Sequence, residues 1–382
     1  MPTLRDRIVV VAFLAVMILP FAAKHAHVRD HAIDGVIAKA PHPTLTFDGV
    51  RDESFQAAYK AWFENRLGLE GYAIYIDNTL LYHLFDDTKT GSSVRIGSDH
   101  VLFMDEDIWY YNRDTAPFDP TRLDAFAARI ADLQARLRAE HRAFVPVIIP
   151  SKTTIYRDMV PARWTRDLGT PPPSDAMFYR TMKRALDSHH VTYVDARELL
   201  VTSSQPRAML WGPTARHWSA YGACLALQQI ASRFTELTGR RLEYDCHASL
   251  GEGSSYDDDY DLLRLLNAWG VAHDRFVPRV THEPPTMTDA VSVMFVGTSF
   301  CWALLRDAEL SRRFRSARLD YYNTTLFTGP DHAPTPVQPR TPEWRDAFVG
   351  EDLYVLDLFE SYYAVPESFL DHFLDELGSE LH

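Results

Sequence analysis

Cysteine is scarce in this chain of 382 residues: Cys224, Cys246 and Cys301 are the only three. Their spacing matches no zinc-ligand pattern, so zinc chemistry has no footing. An odd number leaves one thiol over, and Cys224 with Cys246 is the pair that could bridge in an oxidising compartment. A basic surplus is missing too, since 39 Lys and Arg face 52 Asp and Glu, for a formal net charge of -13. Phosphate binding needs clustered cations, and generic nucleic-acid binding is excluded on that ground. There is no Gly-x-Gly-x-x-Gly, no phosphate-cradling glycine loop and no His-Glu-x-x-His, which removes nucleotide and metalloprotease chemistry. No internal repeat or low-complexity tract is found.

What is present is apolar material in quantity, 46% of residues with 12% aromatic, enough for a large core. Arg5 and Arg7 precede an apolar run from Ile8 to Ala23, broken only by Pro20 and followed by Lys24 and His25. Its length falls between the ~20 residues of a comfortable membrane span and the ~7–15 of a cleavable signal. Residues 1–25 therefore read as a signal anchor or a signal peptide, with the anchor preferred because no A-x-A triplet ends the run. The basic flank places the N-terminus in the cytoplasm and the rest of the chain outside it. Residues 26–50, rich in His, Pro and Ala, read as a linker, and residues 51–382 as one folded domain.

Mixed three and four spacing of Ala58, Trp62, Leu67, Tyr72, Ile76 and Leu80 predicts two helices with a break near Gly68 and Gly71. Val94–Gly97 and Val101–Met104 flank a polar turn, as in a short hairpin. Leu123, Phe126, Ile130, Leu133 and Leu137 mark an amphipathic helix over 121–141. The continuous apolar run Ala143–Pro150 follows it, the sign of a strand buried on both faces. Helices over 177–189 and 221–237 alternate with strands at 191–194, 291–296 and 353–359, which predicts an α/β/α sandwich on a mainly parallel sheet. The five prolines of 328–343 read as an irregular loop.

Two segments carry chemistry. The strand Val291–Val296 runs into Gly297-Thr298-Ser299-Phe300, and ligands of open α/β sheets bind beyond strand carboxyl ends. Ser299 there can present its hydroxyl while neighbouring N–H groups face a developing oxyanion, with Gly297 allowing a tight turn. The plainer alternative is that Ser299 caps the helix beginning near Phe300. The second segment, Trp211 to Ala223, carries His217 at a loop-to-helix junction, where a general base for Ser299 would stand. The acidic run Asp257-Asp258-Asp259 with Asp261 lacks the Gly and terminal Glu of a calcium loop and reads as a solvated turn before a helix over 262–269.

His217-Trp218, Gly222-Ala223 and Gly297-Thr298-Ser299-Phe300 together resemble the alginate O-acetyltransferase family of periplasmic, SGNH-hydrolase-like proteins. Phe63 and Arg66 with Gly68, Ile96-Gly97 through Leu102-Phe103, and Pro150-Ser151-Lys152 with Tyr156 extend the resemblance over about residues 50–365. It implies an SGNH-type three-layer sandwich behind a membrane anchor. It implies transfer of acetyl groups through an acetyl-serine, with Ser299 as nucleophile, His217 as base and no metal or cofactor. Gly297, Thr298, Asn323, Lys152, Tyr156 and Tyr322 are the expected oxyanion or substrate contacts. The expected partners are an exported polysaccharide as acceptor and a multi-pass membrane acyltransferase as donor, with the chain held at a bacterial inner membrane and its catalytic domain in the periplasm. The family's Asp two residues before the His is Ala215 here, and its Asp before the Ser is Thr298. With no acid one to three residues ahead of His217, the substitutes expected at strand ends are Asp195 and Glu360. The rival readings are a degenerate scaffold that binds polysaccharide or assembly partners, and an acetyl esterase.

Overall fold

The computed structural model describes residues 3–35, 39–89, 92–112, 120–165, 174–253, 256–285, 291–329, 331–338, 341–360 and 368–381. Contacts divide the chain into two units, Met1–Val94 with Leu263–Ala272, and Arg95–Leu262 with His273–His382.

The first unit is helical. Its first helix, α1 (Leu4–His25), has 22 residues, 18 of which in one stretch have a mean hydropathy of 2.2, the length and composition of a membrane span. Thr3 caps it, accepting from the Asp6 N–H. The linker is not featureless: it holds a short helix at Phe47–Arg51, and Asp30 accepts from the Gly71 N–H at 3.1 Å. The two helices expected after it are Ser54–Glu64 and Glu70–Phe85. The latter is tied to the 263–272 segment by Asn78, which donates to the Leu266 carbonyl at 2.8 Å, and by the Trp269 N–H on Thr79.

The second unit is built on seven strands: β1 (Ala143–Ile149), β2 (Val194–Asp195), β3 (Val291–Gly297), β4 (Phe314–Tyr321), β5 (Thr325–Thr328), β6 (Ala333–Pro336) and β7 (Leu353–Phe359). Their order is β6-β5-β4-β3-β7-β1-β2. The five from β4 to β2 are parallel, and β5 and β6 add an antiparallel edge. Six helices matter to this sheet: α2 (Pro120–Ala139), α3 (Ser174–Ser188), α4 (Ala220–Thr238), α5 (Cys301–Ser311), α6 (Pro342–Phe348) and α7 (Phe369–Glu380).

Strand alternation sends successive residues to opposite faces, and here both faces are apolar. Val145, Val147, Val293, Phe295 and Val355 join one buried cluster with residues of α4 and α5. Phe144, Ile148, Met294, Val296 and Leu356 join the other with residues of α2, α3, α6 and α7. The result is the three-layer α/β/α sandwich expected from the continuous apolar runs. Ser219 caps α4 through the Gly222 N–H, and Gly239, at φ 71°, ends it in the left-handed conformation that glycine adopts freely.

Several elements depart from expectation. The proline-rich 328–343 segment holds β6, with Pro334 and Pro336 on the sheet edge, where a missing donor costs nothing. The helix placed over 262–269 is the shorter Asp261–Leu265. An antiparallel pair, His247–Glu252 with Phe276–Thr281, was not anticipated, nor was α7. Phe144 is fully buried between β1 and α2. Replacing it with Ala is expected to cost about 3–5 kcal/mol in urea unfolding, by lost transfer energy and the cavity left behind.

Candidate active site

At the end of β3 the chain turns through Thr298-Ser299-Phe300 into α5. Gly297 is required here for space rather than for a positive φ: a Cβ on it would stand 2.2 Å from the Cβ of Asp357 on β7. Thr298 is buried beneath the turn, not open to substrate. Its N–H and hydroxyl both donate to Asp357 Oδ2, at 2.9 and 2.5 Å. Ser299 does not cap α5, whose N-cap position is Phe300 with no side-chain bond. Its hydroxyl meets His217 Nε2 at 2.7 Å instead. The N–H groups of Thr298, Phe300, Cys301 and Trp302 all donate within the protein. The Ser299 N–H has no such acceptor among the described residues.

The loop that carries His217 is fixed by its own peptide groups. Lys152, just past β1, is fully buried, and its ammonium donates to the carbonyls of Gly212, Pro213 and Ala215 at 3.0, 2.6 and 2.7 Å. Tyr156, one turn on, donates to the Trp211 carbonyl at 2.7 Å. The Leu102 N–H gives Pro213 a second donor at 2.9 Å. Lys152 and Tyr156, expected as substrate contacts, are thus turned inward as clasps. Trp218 Nε1 donates to the Phe300 carbonyl at 3.0 Å, and the Phe300 ring meets the His217 ring edge-on at 4.9 Å. These contacts join the base loop to the nucleophile turn.

The acid that orients His217 is Asp261. Its Oδ2 lies 2.7 Å from His217 Nδ1, so the imidazole bridges Ser299 and a carboxylate. Asp261 Oδ1 accepts from the N–H groups of Arg216 at 2.6 Å and Leu262 at 2.8 Å. Burial raises the Asp261 carboxyl, but the His217 bond, the His217 charge and the two N–H groups outweigh it and hold the pKa below the ordinary carboxylate value. The reading of this acidic stretch as a solvated turn fails at Asp261, whose side chain is only 17% exposed.

Asp195 and Glu360, the expected substitutes, have other partners. Asp195 caps the helix Ala196–Val201 through the Glu198 N–H and binds Lys183 at 2.8 Å and the Tyr179 hydroxyl at 2.6 Å. Glu360 accepts from the Ser151 N–H and hydroxyl, both at 2.6 Å, and from Thr154, with Arg197 at 3.3 Å. Asn323 is not an oxyanion donor at Ser299: its amide donates to Glu376 Oε2 of α7 at 2.9 Å. Tyr322, at φ 53°, donates its N–H to the Gly297 carbonyl at 2.9 Å and sets its ring against Tyr321 and Phe369. Cys224 and Cys246 are disulfide-bonded, and Cys301 is a buried free thiol.

Two predictions follow from these buried charges. Burial pushes the Asp357 carboxyl up to about 6 against the donors of Thr298 and Cys301. A raised carboxyl stabilises the fold fully below its ordinary pKa, and that contribution is lost as pH rises through about 6. Wild type should lose on the order of 2–3 kcal/mol through this group between pH 4 and pH 7, and Asp357→Asn should not, as read by urea unfolding at both pH values. Lys152→Met leaves buried carbonyls without their donor and should cost on the order of 3 kcal/mol in the same assay.

Comparisons place this geometry in a family. The SGNH hydrolase-like domain of the acetyltransferase AlgX matches residues 94–310. Among solved structures the chain is similar to the O-acetyltransferase domain of Pseudomonas putida AlgJ, at 18% identity over 75% of this chain and 98% of that one, with a TM-score of 0.44. It is similar to Bacillus cereus PatB1, at 11% identity over 66% and 93%, with a TM-score of 0.45. Pseudomonas aeruginosa AlgX is similar at 11% identity over 74% and 67%, with a TM-score of 0.47. No curated protein matches in sequence. The matched span covers more than half of the chain and takes in Lys152, His217, Asp261 and Ser299, and on it the chain belongs to the SGNH hydrolase-like acetyltransferase AlgX family.

Proposed function

We propose that this chain transfers acetyl groups to hydroxyls of an exported polysaccharide through an acetyl-serine on Ser299. The observation that carries the reading is the continuous line Asp261–His217–Ser299, with 2.7 Å at each step. In the first half-reaction His217 Nε2 takes the Ser299 proton as Oγ attacks the acetyl carbonyl. The Ser299 N–H faces the oxyanion, Asp261 stabilises the imidazolium, and the donor's alcohol leaves with the His217 proton. In the second half a sugar hydroxyl gives its proton to His217, attacks the acetyl-serine and releases Ser299.

The sequence features that favoured a degenerate scaffold were Ala215 and Thr298, and for the first of them Asp261 offers a carboxylate to His217 from elsewhere. Helix α1 supports an anchor in a bacterial inner membrane with the acetyltransferase domain in the periplasm. A multi-pass membrane acyltransferase as donor fits that placement.

Incubation with a chromogenic acetyl ester should give turnover and an acetyl adduct on Ser299 by mass spectrometry, both lost in Ser299→Ala. Asp261→Asn should retain the fold and lower kcat by about 10³–10⁴, whereas Asp195→Asn should change it little. Turnover that survives Ser299→Ala would overturn the proposal. Added oligosaccharides separate the transferase, which yields acetylated sugar, from an esterase, which yields acetate alone.

A further inference from the structure

We infer that the two helices following the anchor, Ser54–Glu64 and Glu70–Phe85, lie in the membrane interface with their apolar stripes against lipid. The inference rests on the reading of α1 as a membrane span. The apolar run Ile8–Ala23 of α1 is about 24 Å long, and the whole 22-residue helix about 33 Å, so the helix crosses a hydrocarbon core of ~30 Å with Arg5 and Lys24 at its two surfaces. Its last turn is therefore at the membrane surface. The loop between the two helices sits on that turn: the Gly68 N–H donates to the Pro20 carbonyl at 3.3 Å. A Cβ on Gly68 would lie 2.7 Å from the Pro20 oxygen and 2.8 Å from the Lys24 nitrogen, so glycine is what lets the loop lie flat on the helix end.

From this point each helix carries an exposed apolar stripe. On Ser54–Glu64 it is an aromatic ladder. Phe55 stacks on Tyr59 at 5.8 Å, Tyr59 on Phe63 at 6.4 Å, and Phe63 meets Phe21 of α1 at 5.8 Å. The ladder is continuous with the apolar surface of the anchor. On Glu70–Phe85, Tyr72, Ile76, Leu80 and Leu84 recur every four residues at 40, 52, 50 and 67% exposure, with no charge among them. On the opposite side of that helix Asn78 donates to the Leu266 carbonyl, while Thr79 and His83, beside the stripe, bond the Trp269 backbone and leave Ile76, Leu80 and Leu84 exposed.

A contiguous apolar surface of this kind marks an interaction site. Aromatic residues favour the headgroup level, where an apolar ring and a polar hydroxyl are both satisfied. Amphipathic helices lie there with their apolar face ~5–10 Å deep. Acidic and basic side chains alternate around the stripes, as in Lys60 with Glu64 and Lys89 with Asp77, so attraction to anionic lipid is not the basis of binding.

The test uses the full chain reconstituted in vesicles of phosphatidylethanolamine and phosphatidylglycerol. A single cysteine is introduced at Leu14, Tyr59, Leu80 or Leu84, or at the controls Lys60 and Asp77, and carries a nitroxide. The native thiols do not compete, being bridged or buried. Collision with oxygen against a water-soluble nickel chelate then reports depth, with circular dichroism checking each fold. Oxygen-dominated collisions at 59, 80 and 84, nickel-dominated collisions at 60 and 77, and the deepest value at 14 are expected. Lipid depth at 14 with nickel-dominated collisions at 59, 80 and 84 would overturn the inference and leave the anchor standing. Shielding of 59, 80 and 84 from both reagents would overturn it in favour of a protein partner. Nickel-dominated collisions at 14 would overturn the anchor reading and this inference with it.

Discussion

A parallel sheet covered on both faces has only its strand ends free for chemistry, and the arrangement of this site follows from that constraint. Ser299 follows β3, Lys152 follows β1, and Glu360 follows β7. Each strand end is also tied to its neighbour. Asp357 of β7 holds the Thr298 turn, Glu360 holds Ser151 and Thr154 beyond β1, and the Gly297 carbonyl accepts from Tyr322 beyond β4. The polar groups that resemblance offered as substrate contacts are largely spent on this bracing. The proposed reaction at Ser299 needs such support, because a small displacement of reacting atoms costs a large share of the rate.

The same burial decides which acid can serve His217. Desolvation disfavours any buried carboxylate, and the outcome depends on the donors each one finds. Among the described residues Asp107 has Arg216 at 3.5 Å and no hydrogen bond on either oxygen, and burial pushes it up to about 6. Glu360 is raised by burial too, against Arg197, Ser151 and Thr154. Asp261 receives two N–H groups on one oxygen and His217 on the other, and its pKa falls. Asp261 is the one of the three whose surroundings favour the charged form over burial, and a charged acid is what stabilises an imidazolium.

What the sequence revealed and what it hid divide along physical lines. Continuous apolar runs announced β1, β3 and β7, because burial on both faces leaves no other composition. Helical periodicity announced α2 and α4 to within a residue or two. Ser299 and His217 were legible because strand end and helix start are local features. Asp261 was not, since its bond to His217 spans 44 residues and no local pattern encodes it. Thr298 meeting Asp357 spans 59, and Lys152 meeting Ala215 spans 63. The prolines of β6 disguised a strand whose edge position is what tolerates them.

With Ala at position 215 and a carboxylate reaching His217 from position 261, the His217 loop is held from two sides. Ala215 is buried, with its carbonyl on Lys152, while the next peptide group along sends its N–H to Asp261. The backbone from Trp211 to Arg216 therefore lies between a buried ammonium that takes its carbonyls and a buried carboxylate that takes an amide. The two charges support each other across the loop. Burial pushes Lys152 down to about 7, and Asp261 stands first among the acids that favour its charged form. Three carbonyls need three N–H donors, which an ammonium has and a neutral amine lacks. Asp261 thus meets His217 directly, through the bond to Nδ1, and its charge also favours the protonated form of the Lys152 clasp that holds the same loop.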